Sequence, residues 1–375
     1  MIAPRKVPIK ILVTGGNGQL AQSLALIAHL SDAKVKGGSF TRMTAQTMQA
    51  LVNILPEATN CLREQDELHL FSHRELDICN SVAIDASFKQ LKPDVVINCA
   101  AYNAVDNAET DPESAVKVNV EGPKLLAERC KRDGVMLVHI SSDFVFSGEK
   151  HSPYNEQDTP SPLSVYGNSK LAGELAVRQV LGEQAYIIRT SWLYSCQGDN
   201  FVHTMQKLFA AKEQLSVIAD QYGTPSWAEA LAVIIFKLIK QKEAVNCAAN
   251  LSASLCAGLD THFTGRTVSD SVASNRLFHY AAASSCSWFE FAQEIQRLRL
   301  VSNKSKKAHC NIKPISTLSW QAGHEQVLAR RPKQSALNNE SVCQQLDVRQ
   351  GSVLKAKWQQ QLKGMLDFQQ IIIAN

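Results

Sequence analysis

Short β-branched runs alternate with amphipathic stretches through the first half of the chain, the signature of a parallel sheet covered by helices on both faces. Lys10–Thr14 (KILVT) predicts a first strand and residues 18–30 the helix that follows it. Glu67–Phe71 predicts the second strand, Ser81–Leu91 a short helix, and residues 94–98 (DVVIN) the third strand. Residues 112–131 read as helical with a bend at Gly122-Pro123, because proline lacks the N–H that a helix interior uses. A fourth strand over 135–141, a helix over 166–181 and a fifth strand over 185–189 continue the pattern. These strands are apolar almost throughout, as a sheet buried on both sides requires.

Two stretches break the rhythm. Residues 31–66 fill a place where a short turn would suffice and read as an insertion holding a helix. Residues 243–275, rich in Ala, Ser and Asn, show no strong period and read as a second insertion. Both are expected to be peripheral and more mobile than the sheet, since long additions to surface loops are tolerated. Beyond residue 190 the elements become shorter and mixed: helices near 200–211, 226–240, 287–299 and 351–367, and a strand near 276–281. The expected organisation is therefore a doubly wound α/β domain over residues 1–190 and a smaller mixed α/β lobe over 191–375, with some elements exchanged between them.

Composition narrows the classes without choosing one. The 375 residues carry 39 basic and 35 acidic side chains spread along the sequence, so a clustered basic face for nucleic acid is not expected. The longest apolar runs, near 231–239 and 371–374, fall short of the ~20 residues that span a bilayer. Ten cysteines come no closer than the nine residues between Cys247 and Cys256, which excludes zinc-type CxxC spacing and suits a reducing, cytoplasmic compartment.

Chemistry enters at the end of the first strand. Gly15-Gly16-Asn17-Gly18-Gln19-Leu20-Ala21 opens the first helix with a G-x-x-G-x-x-A pattern. Glycines there let the backbone turn sharply and approach a pyrophosphate, with the helix N-terminus facing it. Gly15, Asn17, Gly18, Gln19 and Leu20 are the candidate cofactor contacts of a Rossmann-type sheet. Past the second strand stand Ser72-His73-Arg74-Glu75; Arg74 suits the 2′-phosphate of NADPH, while Glu75 keeps NADH open. Tyr166 and Lys170 lie one helical turn apart, so the ammonium is positioned to lower the tyrosine pKa and prepare it for proton exchange with a carbonyl. Ser142, at the C-terminal end of the fourth strand, stands where open α/β sheets bind ligands. His69 and His73 have the spacing of a ligand pair but no third ligand, and Trp227 and Trp288 read as core packing.

Together these residues resemble the extended short-chain dehydrogenase/reductase superfamily and, within it, the dTDP-4-dehydrorhamnose reductase family. The resemblance is carried by KILVTGGNGQLAQSL, KPDVVINCAAYNAVDNAE, HISSDFVFSGEKHSPYNEQDTPSPLSVYGNSKLAGE, RTSWLYS, IADQYGTPSWAEALA, FHYAAASSCSWFEFA and LARRPKQSALN. It implies NADPH-dependent reduction of the C4 ketone of dTDP-4-dehydro-L-rhamnose to dTDP-L-rhamnose, for surface polysaccharide. Tyr166, Lys170 and Ser142 would be catalytic. Asp77 and Ile78 would lie near the adenine, and Ala101, Tyr102 and Asn103 would line the cofactor. Val105, Phe144 and Trp192 would face the sugar, and Arg331, in the ARRP segment, would meet the diphosphate. Asn103 departs from the commoner threonine, and Gln22-Ser23 stands where some members hold Mg²⁺ with a glutamate, which leaves no carboxylate for a metal. A homodimer is left open. The competing readings are a related nucleotide-sugar reductase, an epimerase or dehydratase on the same fold, and a non-catalytic NADP-binding subunit similar to that of methionine adenosyltransferase. Phe144 after Asp143 disfavours dehydration, which calls for Asp-Glu there.

Overall fold

The computed structural model describes residues 8–38, 43–256, 276–302, 310–323 and 327–374. Its centre is β1 (Lys10–Thr14), buried along nearly its whole length. After α1 (Gln19–Leu30) come β2 (Lys34–Gly37), α2 (Ala45–Ile54), β3 (Glu67–Phe71), α3 (Ser81–Leu91) and β4 (Val95–Asn98). Then follow α4 (Asn107–Thr110), α5 (Pro112–Val116), α6 (Gly122–Asp133), β5 (Met136–Ser142), α7 (Val165–Leu181) and β6 (Ala185–Thr190). Among the described residues the main sheet runs β11-β6-β5-β4-β1-β3-β2, with β11 being Leu277–His279. All its pairings are parallel. β4 and β6 are buried at every position, which is why their sequence is apolar without alternation. Strand order reverses between β1 and β4, and the crevice at the carboxyl ends there is the ligand position of such sheets.

The expectation that 31–66 is a peripheral addition is corrected. β2 extends the sheet beyond β3 in parallel register, from Lys34 opposite Glu67 to Gly37 opposite Leu70. Leu51, Leu55, Ala58, Cys61 and Leu62 are buried in the main core. Thr44 caps α2, its Oγ1 accepting from Thr47 N at 3.2 Å. The strand was invisible to periodicity because it is a largely exposed edge. Lys34 and Lys36 there are edge-guarding charges of the kind that discourage further pairing. Glu67–Phe71 is thus the third strand in chain order, although it pairs directly with β1.

The second insertion is corrected in its first part. α9 (Ala228–Cys256) runs straight through residue 243. Residues 230–239 are buried on every side except Lys237, so no polar face marks a period. The remainder, 257–275, lies outside the described residues.

Where a bend is expected at Gly122-Pro123, the helix is distorted one turn earlier. A π-helical turn over Lys117–Glu121 joins α5 to α6, and Gly122 keeps helical angles (φ −57°, ψ −54°). Pro123 has no N–H for the Asn119 carbonyl, and a widened turn absorbs that loss without breaking the helix. The final helix also begins later than expected, as α13 (Trp358–Ala374) after a 3₁₀ turn at Val353–Lys355.

The remaining strands form short pairings. β7 (Leu193–Tyr194) pairs with β10 (Ser226–Trp227), and β9 (Tyr222–Gly223) pairs antiparallel with β12 (Cys286–Ser287). β8 (Gln214–Ile218), which follows α8 (Phe201–Ala211), pairs with β13 (Asn311–Ile315). α10 (Trp288–Ser302), α11 (Thr317–Gln321) and α12 (Glu340–Gln345) complete this half. Trp227 is fully buried, as read from the sequence, in the core that also buries α1.

Candidate active site

The turn after β1 is built from backbone. Gly15 has φ +67°, and a Cβ there would stand 2.9 Å from Ala100 N, so a side chain is excluded by both conformation and space. Gly18 N donates to Gly15 O at 2.8 Å, and Gly16 N to Phe71 O at 2.7 Å, tying the turn to the end of β3. α1 starts with no side-chain cap and no acidic residue in its first turn, leaving the positive end of its dipole facing the crevice. Gln22 donates its amide to Gly16 O and braces the turn from below. No cluster of three or more His, Cys, Asp or Glu suited to a metal occurs among the described residues. His69 instead meets Glu67 at 2.8 Å, and His73 lies 3.9 Å from Asp77.

β5 and α7 bring the polar residues together. Ser142 ends β5, its Oγ donating to Asp143 Oδ1 at 3.0 Å and accepting from Phe144 N at 3.1 Å. Ser164 caps α7 through Gly167 N at 3.1 Å. A Cβ on Gly167 would stand 2.3 Å from Phe144 O, so glycine lets the helix start press against the β5 loop. Tyr166 and Lys170 face inward and are buried. The Tyr166 hydroxyl reaches Asn103 Oδ1 at 3.5 Å, so the Asn103 departure places an acceptor beside it. Phe144 meets the Tyr166 ring edge-on at 5.5 Å.

Lys170 Nζ donates to Ile140 O at 2.7 Å. Burial pulls Lys170 down to about 8, opposed by the negative charge of Glu174. Glu174 is itself clamped by Arg189, through Nε at 2.9 Å and Nη2 at 2.7 Å, and it also accepts from the Ser141 hydroxyl. The expectation that Lys170 lowers the Tyr166 pKa is not what this geometry does. Burial pushes Tyr166 up to about 12, relieved in part by a hydrogen bond with Ser142, so the hydroxyl holds its proton at neutral pH.

One cavity of about 590 Å³ gathers Gly18, Gln19, Leu20, Ala101, Asn103, Val105, Ser142, Phe144, Tyr166, Lys170, Trp192 and Arg331. Gly15 and Asn17 shape the turn above it. Tyr102 lies beside the cavity, its backbone held by the Asn119 side chain at 2.9 and 3.1 Å. Arg74 is exposed just past β3. Asp77 caps its own loop through Cys79 N at 2.9 Å. Ile78 is buried against Gly122, so its side chain is committed to the core. Arg331 pairs with Asp106 at 2.7 Å and also borders a second cavity, of about 1030 Å³, with Arg330, Lys333 and His151.

Trp288, read as core packing, does pack against the main core, and it also lines the cavity and stacks on Trp192. Asp143 and Asp199 line it as well. Asp143, in the sequence the residue between Ser142 and Phe144, is marked by those neighbours; nothing in the local sequence marks Trp288 or Asp199 as lining the cavity.

The RmlD substrate binding domain family model matches residues 9–257 and 257–371 of this chain. The dTDP-4-dehydrorhamnose reductase of Burkholderia thailandensis is 32% identical over 341 residues, covering 91% of this chain and 94% of the relative. The chain belongs to the dTDP-4-dehydrorhamnose reductase family. Solved structures bearing that reductase name superpose closely on it. The protein from Clostridium acetobutylicum gives a TM-score of 0.69 at 31% identity, covering 96% of this chain and 100% of that one. The Bacillus anthracis protein, in complex with NADP, gives 0.69 at 28% identity over 96% and 99% of the two chains. Six of the seven stretches that carry the reductase resemblance contribute residues to the cavity, and the seventh, IADQYGTPSWAEALA, borders the second cavity through Ala219, Asp220 and Tyr222. Among the described residues no helix is long and apolar enough to cross a membrane.

Proposed function

We propose that this protein reduces the C4 ketone of dTDP-4-dehydro-L-rhamnose to dTDP-L-rhamnose with NADPH, in the cytoplasm. The observation that carries the reading is the convergence of Ser142, Tyr166 and Lys170 on one cavity that Gly18, Gln19 and Leu20 of the glycine turn and Arg331 also line. The turn fits a dinucleotide: with φ +67° and the Ala100 backbone 2.9 Å from any Cβ, only glycine can form it at position 15, and α1 presents an uncapped N-terminus.

Gly15, Asn17, Gly18, Gln19 and Leu20 hold the pyrophosphate, with Ala101, Tyr102 and Asn103 along the nicotinamide half. Arg74 meets the 2′-phosphate, and the backbone of Asp77 and Ile78 borders the adenine. NADPH, when bound, supplies the hydride. Tyr166, protonated at neutral pH, donates its proton to the developing C4 alkoxide, and the Ser142 hydroxyl hydrogen-bonds the same oxygen. Lys170 holds the nicotinamide ribose.

Val105, Phe144 and Trp192 bound the sugar. Arg331 leaves Asp106 to meet the diphosphate, a bidentate geometry for which guanidinium is suited, and the second cavity accommodates the nucleoside. In this reading residues 1–190 carry the cofactor and 191–375 close over the sugar. The test is NADPH oxidation with a panel of nucleotide-linked 4-ketosugars. The expected result is turnover of the dTDP-linked 4-keto-6-deoxyhexose above all others; oxidation with none of the panel overturns the assignment.

A further inference from the structure

Trp192 is held in an unusual state. It sits between β6 and β7 with φ +45°, in the left-handed region, where a bulky residue is an outlier that its surroundings must enforce. Its indole lies flat on that of Trp288, with ring centroids 3.5 Å apart and planes 9° from parallel. Gly223 crowds the same ring, and a Cβ there would stand 2.4 Å from Trp192 Cε2. One small element supplies both neighbours: β9 and β12 pair with Gly223 opposite Cys286, two residues before Trp288. Trp288 is supported in turn by Phe201 at 4.6 Å and by Phe291 at 6.5 Å, and Phe291 is fully buried.

A strained backbone, a stacked partner and a glycine that leaves room thus agree on one orientation of an indole facing the cavity. Tyr166 and Ser142 line the same cavity. A wall that had to be ordered on binding would weaken affinity, because immobilising a side chain opposes association.

We propose that Trp288 is a positioning residue for the sugar: by stacking on Trp192 it fixes that indole as a rigid apolar wall, so that the hexose is presented to Tyr166 and Ser142. The inference rests on the reductase reading above and adds to it a residue from the far half of the chain. Trp288 acts through Trp192 on substrate affinity, and the cofactor end of the cavity does not depend on it.

The experiment compares wild type with Trp288→Ala, Trp288→Phe and Gly223→Ala in the NADPH-coupled assay. NADPH affinity, melting temperature and far-ultraviolet circular dichroism are measured alongside, since two stacked indoles give a coupled couplet. In Trp288→Ala the couplet should vanish and KM for the dTDP-4-keto-6-deoxyhexose should rise roughly tenfold, a loss in the range of an aromatic pair. Its kcat should change less than KM, and NADPH affinity should stay at the wild-type value. Trp288→Phe, which keeps an aromatic face, should recover most of the KM. Gly223→Ala should raise KM without touching Trp288, and it carries the test if Trp288→Ala does not fold. An unchanged KM in a folded variant that has lost the couplet overturns the proposal, as does a loss of NADPH affinity equal to the loss of sugar affinity. A wild-type protein inactive on every 4-ketosugar overturns the reductase reading and this inference together, whereas an active wild type with unmoved variants overturns this inference alone.

Discussion

The ends proposed for cofactor and sugar are constructed differently. The proposed cofactor end is mostly backbone and mostly local: Gly15 to Leu20 follow β1 directly, and the turn is locked by hydrogen bonds to its own residues and to the adjacent strand. The proposed sugar end is mostly side chain and non-local. Trp192, Trp288, Gly223 and Arg331 come from four separated segments joined by two-residue strand pairings and an ion pair with Asp106. A backbone cradle recognises what every dinucleotide shares, a pyrophosphate, and tolerates little change. A side-chain wall can be re-shaped residue by residue, which is how one fold serves many sugars.

Substitutions can separate the two ends from the chemistry between them. The largest effect is expected from Tyr166→Phe, which removes the proposed proton donor: turnover should fall about 10²–10⁴-fold while NADPH affinity and melting temperature hold. A variant with near-normal kcat would remove Tyr166 from the mechanism.

Gly15→Ala should act on the cofactor end alone. Its Cβ meets the Ala100 backbone, which cannot swing aside, so NADPH affinity should drop by about tenfold or more, as strain of ~1–3 kcal/mol implies. Calorimetric titration with NADPH checks this, and unchanged affinity would show that the turn does not hold the cofactor.

Arg74→Ala should be milder, because Arg74 is exposed. The preference for NADPH over NADH, read as a ratio of kcat/KM values, should narrow about tenfold, as for loss of a charge-assisted contact of ~1.5 kcal/mol. An unmoved ratio would take the 2′-phosphate away from Arg74.

The smallest change concerns pH. Lys170 is drawn down to about 8 by burial, so its positive charge is lost as pH rises through that value, and kcat should decline above it. Tyr166, pushed up to about 12, keeps its proton across the same range and does not contribute to the decline. Glu174→Gln removes the negative charge that opposes the shift, so the alkaline limb should move to lower pH, by about one unit if ~1.4 kcal/mol of attraction is lost. A limb that stays in place in a stable Glu174→Gln protein would separate Glu174 from the lysine.

The parts legible in the sequence are those whose physics is local. Strands β1, β4, β5 and β6 were readable because both their faces are buried, and the glycine turn because φ > 0 and close backbone approach demand glycine. Tyr166 and Lys170 were readable because helical spacing puts them on one face. β2 was not, since an exposed edge strand needs neither alternation nor an apolar run. The continuation of α9 past residue 243 was hidden for the opposite reason: its preceding turns are buried nearly all round, which erases the period. Trp288 looked like core because a tryptophan beginning an amphipathic helix is ordinarily core; its place at the cavity depends on β12 finding β9.

By itself, then, the chain order of apolar runs, one glycine turn and one helical spacing determined the main sheet apart from its edge strand β2 and singled out the turn and the tyrosine proposed above for cofactor binding and proton transfer, because each is a short-range consequence of backbone geometry. The tertiary structure alone decided how far burial perturbs Tyr166 and Lys170, that Arg331 is held by Asp106, and that Trp192 is strained against Trp288. Those properties arise from desolvation and from contacts between segments far apart in sequence, and neither is encoded in the spacing of neighbouring residues.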